Sequence, residues 1–144
     1  MSAQENKVLV QRFFEEVCNA RKLSMADELF SAEHIYQDPS IPGVPPGPVG
    51  MKQTIAVYQT SFPDVFWRVN EMLAADDKVV TRWTGSGTHQ AELPGHPPIP
   101  PTGRKVSVDG VWIHRIAGGK IVESWNVWDT LGMLQQLSVV PMAE

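Results

Sequence analysis

The feature that most limits what this chain can fold into is one change of hydrophobic period, at Pro63. Ahead of it apolar residues recur at helical spacing, and beyond it they alternate as in strands. Ser2-Ala3-Gln4-Glu5 reads as a capping box. Leu9, Phe13 and Val17 follow at four-residue spacing with Val10 and Phe14 beside them, which predicts an amphipathic helix. Ser24 and Asp27 repeat the cap before Ala26, Leu29 and Phe30 and predict a short second helix. A third begins after Gly50, carries Met51, Ile55 and Tyr58, and stops at Pro63, because proline lacks the N–H a helix needs and restricts Phe62 before it.

Strands are expected over 65–74, 78–88, 105–116 and 120–128, with turns at Asp76-Asp77 and Gly118-Gly119. Asp129-Thr130 caps a short last helix holding Leu131, Leu134 and Leu137. Helices first and an antiparallel meander second predict an α+β fold, a curved sheet wrapping a helical layer, in one domain over 1–144. Ten of the twelve prolines lie in two patches, Pro39 to Pro48 and Pro94 to Pro101, and stiff loops of that kind suit the rim of a cavity.

Composition removes several functions. Twelve Lys+Arg against sixteen Asp+Glu, with no basic block, argue against a nucleic-acid partner. The single Cys18 forms no internal disulfide. The N-terminus has no signal h-region and no apolar run approaches the ~20 residues that span a bilayer, so a cytoplasmic location without a membrane partner is expected. His34, His89, His96 and His114 lack metal-ligand spacing, and no metal is expected. Gly85-Ser86-Gly87 lacks the outer spacing of a nucleophile elbow, and Gln90 stands where a dinucleotide fingerprint needs glycine. Cofactor-free proton transfer by carboxylate and imidazole in an aromatic cavity remains.

The last hairpin is richest in such groups. Counting outward from Gly118-Gly119 pairs Ala117 with Lys120, His114 with Glu123, Trp112 with Trp125 and Val108 with Asp129, which puts the last six on one face. His114 and Glu123 then either pair across the strands or serve a ligand. Asp129 either caps the last helix or, among aromatic neighbours, acts as a general base. Asp38, Asp64, Asp76, Asp77 and Asp109 are expected to be solvated.

One ordered set of residues runs through most of the chain: Phe62-Pro63-Asp64, Arg82-Trp83-Thr84, Gly87-Thr88-His89, Pro101-Thr102-Gly103-Arg104, Gly119-Lys120-Ile121-Val122-Glu123, Trp125, Asp129 and Leu131-Gly132-Met133-Leu134-Gln135-Gln136-Leu137. It resembles the SnoaL-like polyketide cyclase (ester cyclase) family. The resemblance implies an NTF2-like cone over an internal cavity, a homodimer formed through the sheet, and cofactor-independent aldol closure of a polyketide ester. By position it implies Asp129 as the carboxylate that takes the carbon-bound proton, and His114 as its histidine. His89 is the alternative, since pairing 78–88 with 105–116 brings it near Val106 and Val108. Trp83, Trp112 and Trp125 are expected to stack on a small hydrophobic or aromatic carbonyl ligand, with Glu123 beside it. Gln37 stands where many relatives have histidine and is expected to orient the substrate by hydrogen bonds, since an amide transfers no proton. A non-catalytic binding protein of the same fold is the alternative function.

Overall fold

A computed structural model describes residues 2–141. Helix α1 spans Ala3–Arg12, and its capping box is complete: Glu5 N donates to Ser2 Oγ and Ser2 N to Glu5 Oε1, both at 3.1 Å. The helix widens into a π-helical turn over Phe13–Asn19, which turns Phe13, Phe14, Val17 and Cys18 all into the core. Gln59 Nε2 donates to the carbonyls of Val17 and Cys18 at 3.2 and 2.9 Å. A 3₁₀ turn, Leu23–Met25, leads into α2, Ala26–Leu29. The expected second helix is therefore shorter than its pattern, and Phe30 already belongs to a strand.

That strand, β1 (Phe30–Gln37), was not among the expected elements. Its alternation is inverted: His34 and Tyr36 are buried while Ile35 is 53% exposed. Helix α3 (Pro48–Ser61) starts with proline at its first turn and ends just ahead of Pro63. Strands β2 (Phe66–Ala75), β3 (Lys78–Thr88), β4 (Lys105–Ala117) and β5 (Lys120–Trp128) follow, then α4 (Thr130–Gln136). The sheet order is β1-β5-β4-β3-β2, parallel only between β1 and β5. Curvature comes from register breaks in β2, between Val69 and Glu71, and in the β4–β5 pair.

The break in the β4–β5 pair corrects the hairpin count. Ala117 faces Lys120 and Ile116 faces Ile121, but Arg115 then faces Glu123, so Val122 is an extra residue. Every later partner slips by one, and a slip of one reverses the faces. His114 lies opposite Ser124 and Trp112 opposite Asn126, while Ile113 meets Trp125.

The core lies between the concave face of the sheet and α1, the π turn and α3. Phe13 is its centre, with rings 5.0 Å from Trp112, 5.3 Å from Phe14 and Phe30, and 5.4 Å from His114.

Candidate active site

Alternation along the strands sends one set of side chains into the cone. From β3 come Trp83 and Gly85, from β4 Val106, Val108 and Trp112, from β5 Asn126 and Trp128, and from β1 Tyr36. Helix α3 closes this wall with Ile55 and Tyr58, the Phe62 that follows its last turn adds a ring, and α4 gives Met133. Together they line an inner hollow of about 50 Å³, and no Asp, Glu, Lys, Arg or His lines it. Gly110 is needed for its floor: a Cβ there would stand 2.4 Å from Trp83 Cζ2, so only glycine lets the indole lie across β4.

A single hydrogen-bonded chain crosses this apolar wall. Trp83 Nε1 donates to Asn126 Oδ1 (3.3 Å), Asn126 Nδ2 to Tyr36 Oη (3.1 Å), and Tyr36 Oη to Asp38 Oδ2 (2.7 Å). Trp128 Nε1 reaches the same Asp38 oxygen at 3.3 Å, while Ser40 N and Oγ donate to Oδ1 at 2.9 and 2.6 Å. Asp38 is the one acidic side chain buried among the described residues, which corrects its expected solvation. Burial first, and the Asp38 charge second, raise the Tyr36 and Tyr58 phenols well above their ordinary range, so both keep their protons.

Of the expected site residues, Trp83 and Trp112 line the hollow, with ring centroids 6.2 Å apart. The others do not. The carboxylate of Asp129 sits on an exposed residue and caps α4, with Oδ1 accepting from Gly132 N at 2.8 Å. Replacing Asp129 by Ala is expected to cost about 1 kcal/mol in chemical denaturation, the usual worth of such a cap, and to leave ligand affinity unchanged.

Trp125, Glu123 and Gln37 are carried to the outer face by the extra residue Val122 and by the alternation of β1. There Glu123 accepts from Gln37 Nε2 at 2.8 Å and pairs with Arg115 at 3.4 Å. His114 does point inward, but below the hollow, stacked on Trp112 and covered by Phe13. Neither of its ring nitrogens has a hydrogen-bond partner, and burial pushes its pKa down to about 3, with nearby His34 adding to the shift. His89 continues the β3–β4 pairing as expected, its N donating to Arg104 O at 2.9 Å. Its ring packs on Phe62, and its Nδ1 accepts from Thr102 N at 3.2 Å. Among the described residues no histidine is hydrogen-bonded to Asp129 or Asp38.

Tyr36, Asp38, Asn126 and Trp128 are the groups sequence reasoning missed. Asn126 and Trp128 alternate with the chosen Trp125 and were hidden by the count through the bulge. The signal for Asp38 was its place directly after a strand whose inward residues are polar. No group of three or more His, Cys, Asp or Glu among the described residues is placed to hold a metal ion.

A five-stranded, mostly antiparallel, open curved sheet with its helices over a lined hollow defines the class: an α+β cone of the NTF2-like kind. The model of the SnoaL-like polyketide cyclase family matches residues 8–137, and the chain belongs to that family. Among solved structures it is similar to TsrD from Streptomyces laurentii, with 26% identity, coverage of 97% of this chain and 99% of that one, and a TM-score of 0.84. IdmH from Streptomyces antibioticus, a candidate polyketide cyclase, is 29% identical over 92% of this chain and 98% of its own, with a TM-score of 0.77. AclR from Streptomyces galilaeus, a candidate hydroxylase, is 27% identical over 99% and 87%, with a TM-score of 0.84. Among curated proteins no sequence matches. The family and its cyclase-named neighbours support a cyclase-type function.

Proposed function

We propose that the inner hollow takes up a flat, uncharged, conjugated carbonyl compound of polyketide type and closes a ring in it by an intramolecular aldol step. The observation that carries this reading is Asp38, a buried carboxylate held by Tyr36 and Trp128, both of which line the hollow. Its four acceptor sites are all occupied by donors. Asp38 does not itself line the hollow, and Tyr36 therefore carries the proton between them. As the C–H bond breaks, Tyr36 Oη takes the carbon-bound proton while its own hydroxyl proton passes to Asp38 Oδ2. The enolate carbon then attacks the second carbonyl, a C–C bond forms, and the proton returns to the new alkoxide, so the net change is an isomerisation. A carboxylate is a weak base, so the carbon must be activated by two carbonyl groups. Trp83, Trp112 and Trp128 supply the flat walls.

Methyl 2-naphthoylacetate in heavy water tests this reading. The protein is expected to speed deuterium entry at the methylene, read by proton NMR, and exchange at the background rate would defeat it. Background exchange with saturable binding would instead establish the second reading, a binding protein, which the full occupation of Asp38's acceptor sites favours.

The outer face of the sheet is proposed to pair two copies of the chain. Register aligns Leu73, Val80, Ile113 and Trp125 in one apolar row across four strands, beside Val111 and Val127, the latter 64% exposed. Ile113→Glu is expected to halve the mass measured by sedimentation at micromolar concentration. A wild-type chain that sediments as a monomer would end this proposal.

A further inference from the structure

We infer that the ligand of the inner hollow carries an apolar tail, which lies in a second, outer groove between the two proline-rich loops. This rests on the reading of the inner hollow as the ligand site and adds the shape of the ligand. The outer groove measures about 650 Å³ and runs between one wall holding Ile41 and Val44 and another holding Leu93 and Ile99.

Three observations choose the occupant. First, the groove continues the hollow: Thr54, Tyr58, Trp128 and Met133 line both, and the Tyr58 and Trp128 rings meet edge to face at 5.9 Å as the sill between them. Second, no Lys, Arg, Asp or Glu lines either space, and His96 on the outer groove is the one imidazole among their lining residues, so the tail meets no carboxylate, ammonium or guanidinium group. Third, both walls are fixed by main-chain hydrogen bonds. Leu93 and Ile99 exchange two at 2.9 Å, Gln90 N donates to Ser61 O at 2.9 Å, Ile41 N to Asp38 O at 3.0 Å, and Gly47 N to His34 O at 2.8 Å. A preformed apolar channel that opens from a ligand cavity suits an alkyl or polyene extension of the same molecule, whose burial strengthens binding with each methylene.

Prodan and its octanoyl homologue test this. Both are uncharged naphthyl ketones with one fluorophore, and they differ only in acyl-chain length. The longer ketone is expected to bind at least about tenfold more tightly, by fluorescence titration below its aggregation threshold. Val44→Asp and Ile99→Asp, on opposite walls, are each expected to remove that gain and to leave Prodan's Kd within about twofold. Equal affinities in the wild type, or a gain that survives both substitutions, would overturn the tail assignment while leaving the inner hollow as a ligand site. Failure of both ketones to bind would defeat the two readings together.

Discussion

Asp38→Asn is expected to lower the protein-dependent exchange at the methylene of methyl 2-naphthoylacetate by about 10²–10⁴, the range a positioned general base contributes. The substitution keeps the size of the side chain but turns one oxygen into an NH₂ group, and an amide takes up no proton from the Tyr36 hydroxyl. That NH₂ group faces donors on every side, from Tyr36, Trp128 and Ser40. A stability loss of about 1–3 kcal/mol therefore accompanies the change. Prodan affinity, measured beside the exchange rate, separates a lost base from a lost fold. Tyr36→Phe supplies the second measurement: it keeps the carboxylate, removes the hydroxyl that carries the proton to it, and is expected to slow exchange by about 10²–10³. Asp129→Asn, outside the hollow, is expected to leave exchange unchanged. If Asp38→Asn folds, binds Prodan and exchanges at the wild-type rate, Asp38 is not the base.

The contrast between Asp38 and Asp129 also marks how far the sequence reached. Capping residues, periodicity and turn glycines are local, and they located α1, α3, β3 and β5 to within a few residues. The two-glycine turn is one case: Gly118 and Gly119 have φ of +58° and +75°, values that glycine adopts without strain. What failed depended on contacts between distant segments. β1 pairs in parallel with β5, some ninety residues away, and its inward His34 and exposed Ile35 reverse the polarity by which a strand is usually read. The extra residue Val122 has no local signature either. Yet it decides which of Trp125 and Asn126 looks into the cone, and with them the whole composition of the site. The same arithmetic took Asp129 for an inward group when the competing reading, a helix cap, is what its geometry realises. The two patches of proline were correctly placed at the rim, because stiffness is a property of composition and needs no register.

Loss of stability on mild acidification is the second large expectation, and it rests on the buried imidazoles below the hollow. His34 Nε2 is 2.8 Å from Ser124 Oγ, and its Nδ1 has no partner. His114 has none at either nitrogen and lies among Phe13, Trp112 and Val79. Burial disfavours the charged ring in both and lowers their pKa values to about 4 and about 3 from an ordinary 6.5. The unfolded chain therefore takes up protons first as pH falls. The stability the two neutral rings confer is complete above about pH 6.5 and drains away as pH drops toward the folded values. With two sites, unfolding stability is expected to fall by roughly 3–4 kcal/mol between pH 7.5 and pH 5, measured by denaturant titration, a large part of the 5–15 kcal/mol typical of a domain. His114→Phe removes one titrating ring and two unpartnered nitrogens while keeping a flat ring against Trp112. It is expected to halve the slope and to match or exceed the wild type at pH 5. A slope unchanged by the substitution would show that His114 does not carry the acid sensitivity, and a flat wild-type profile down to pH 5 would show that neither ring is held neutral by the core.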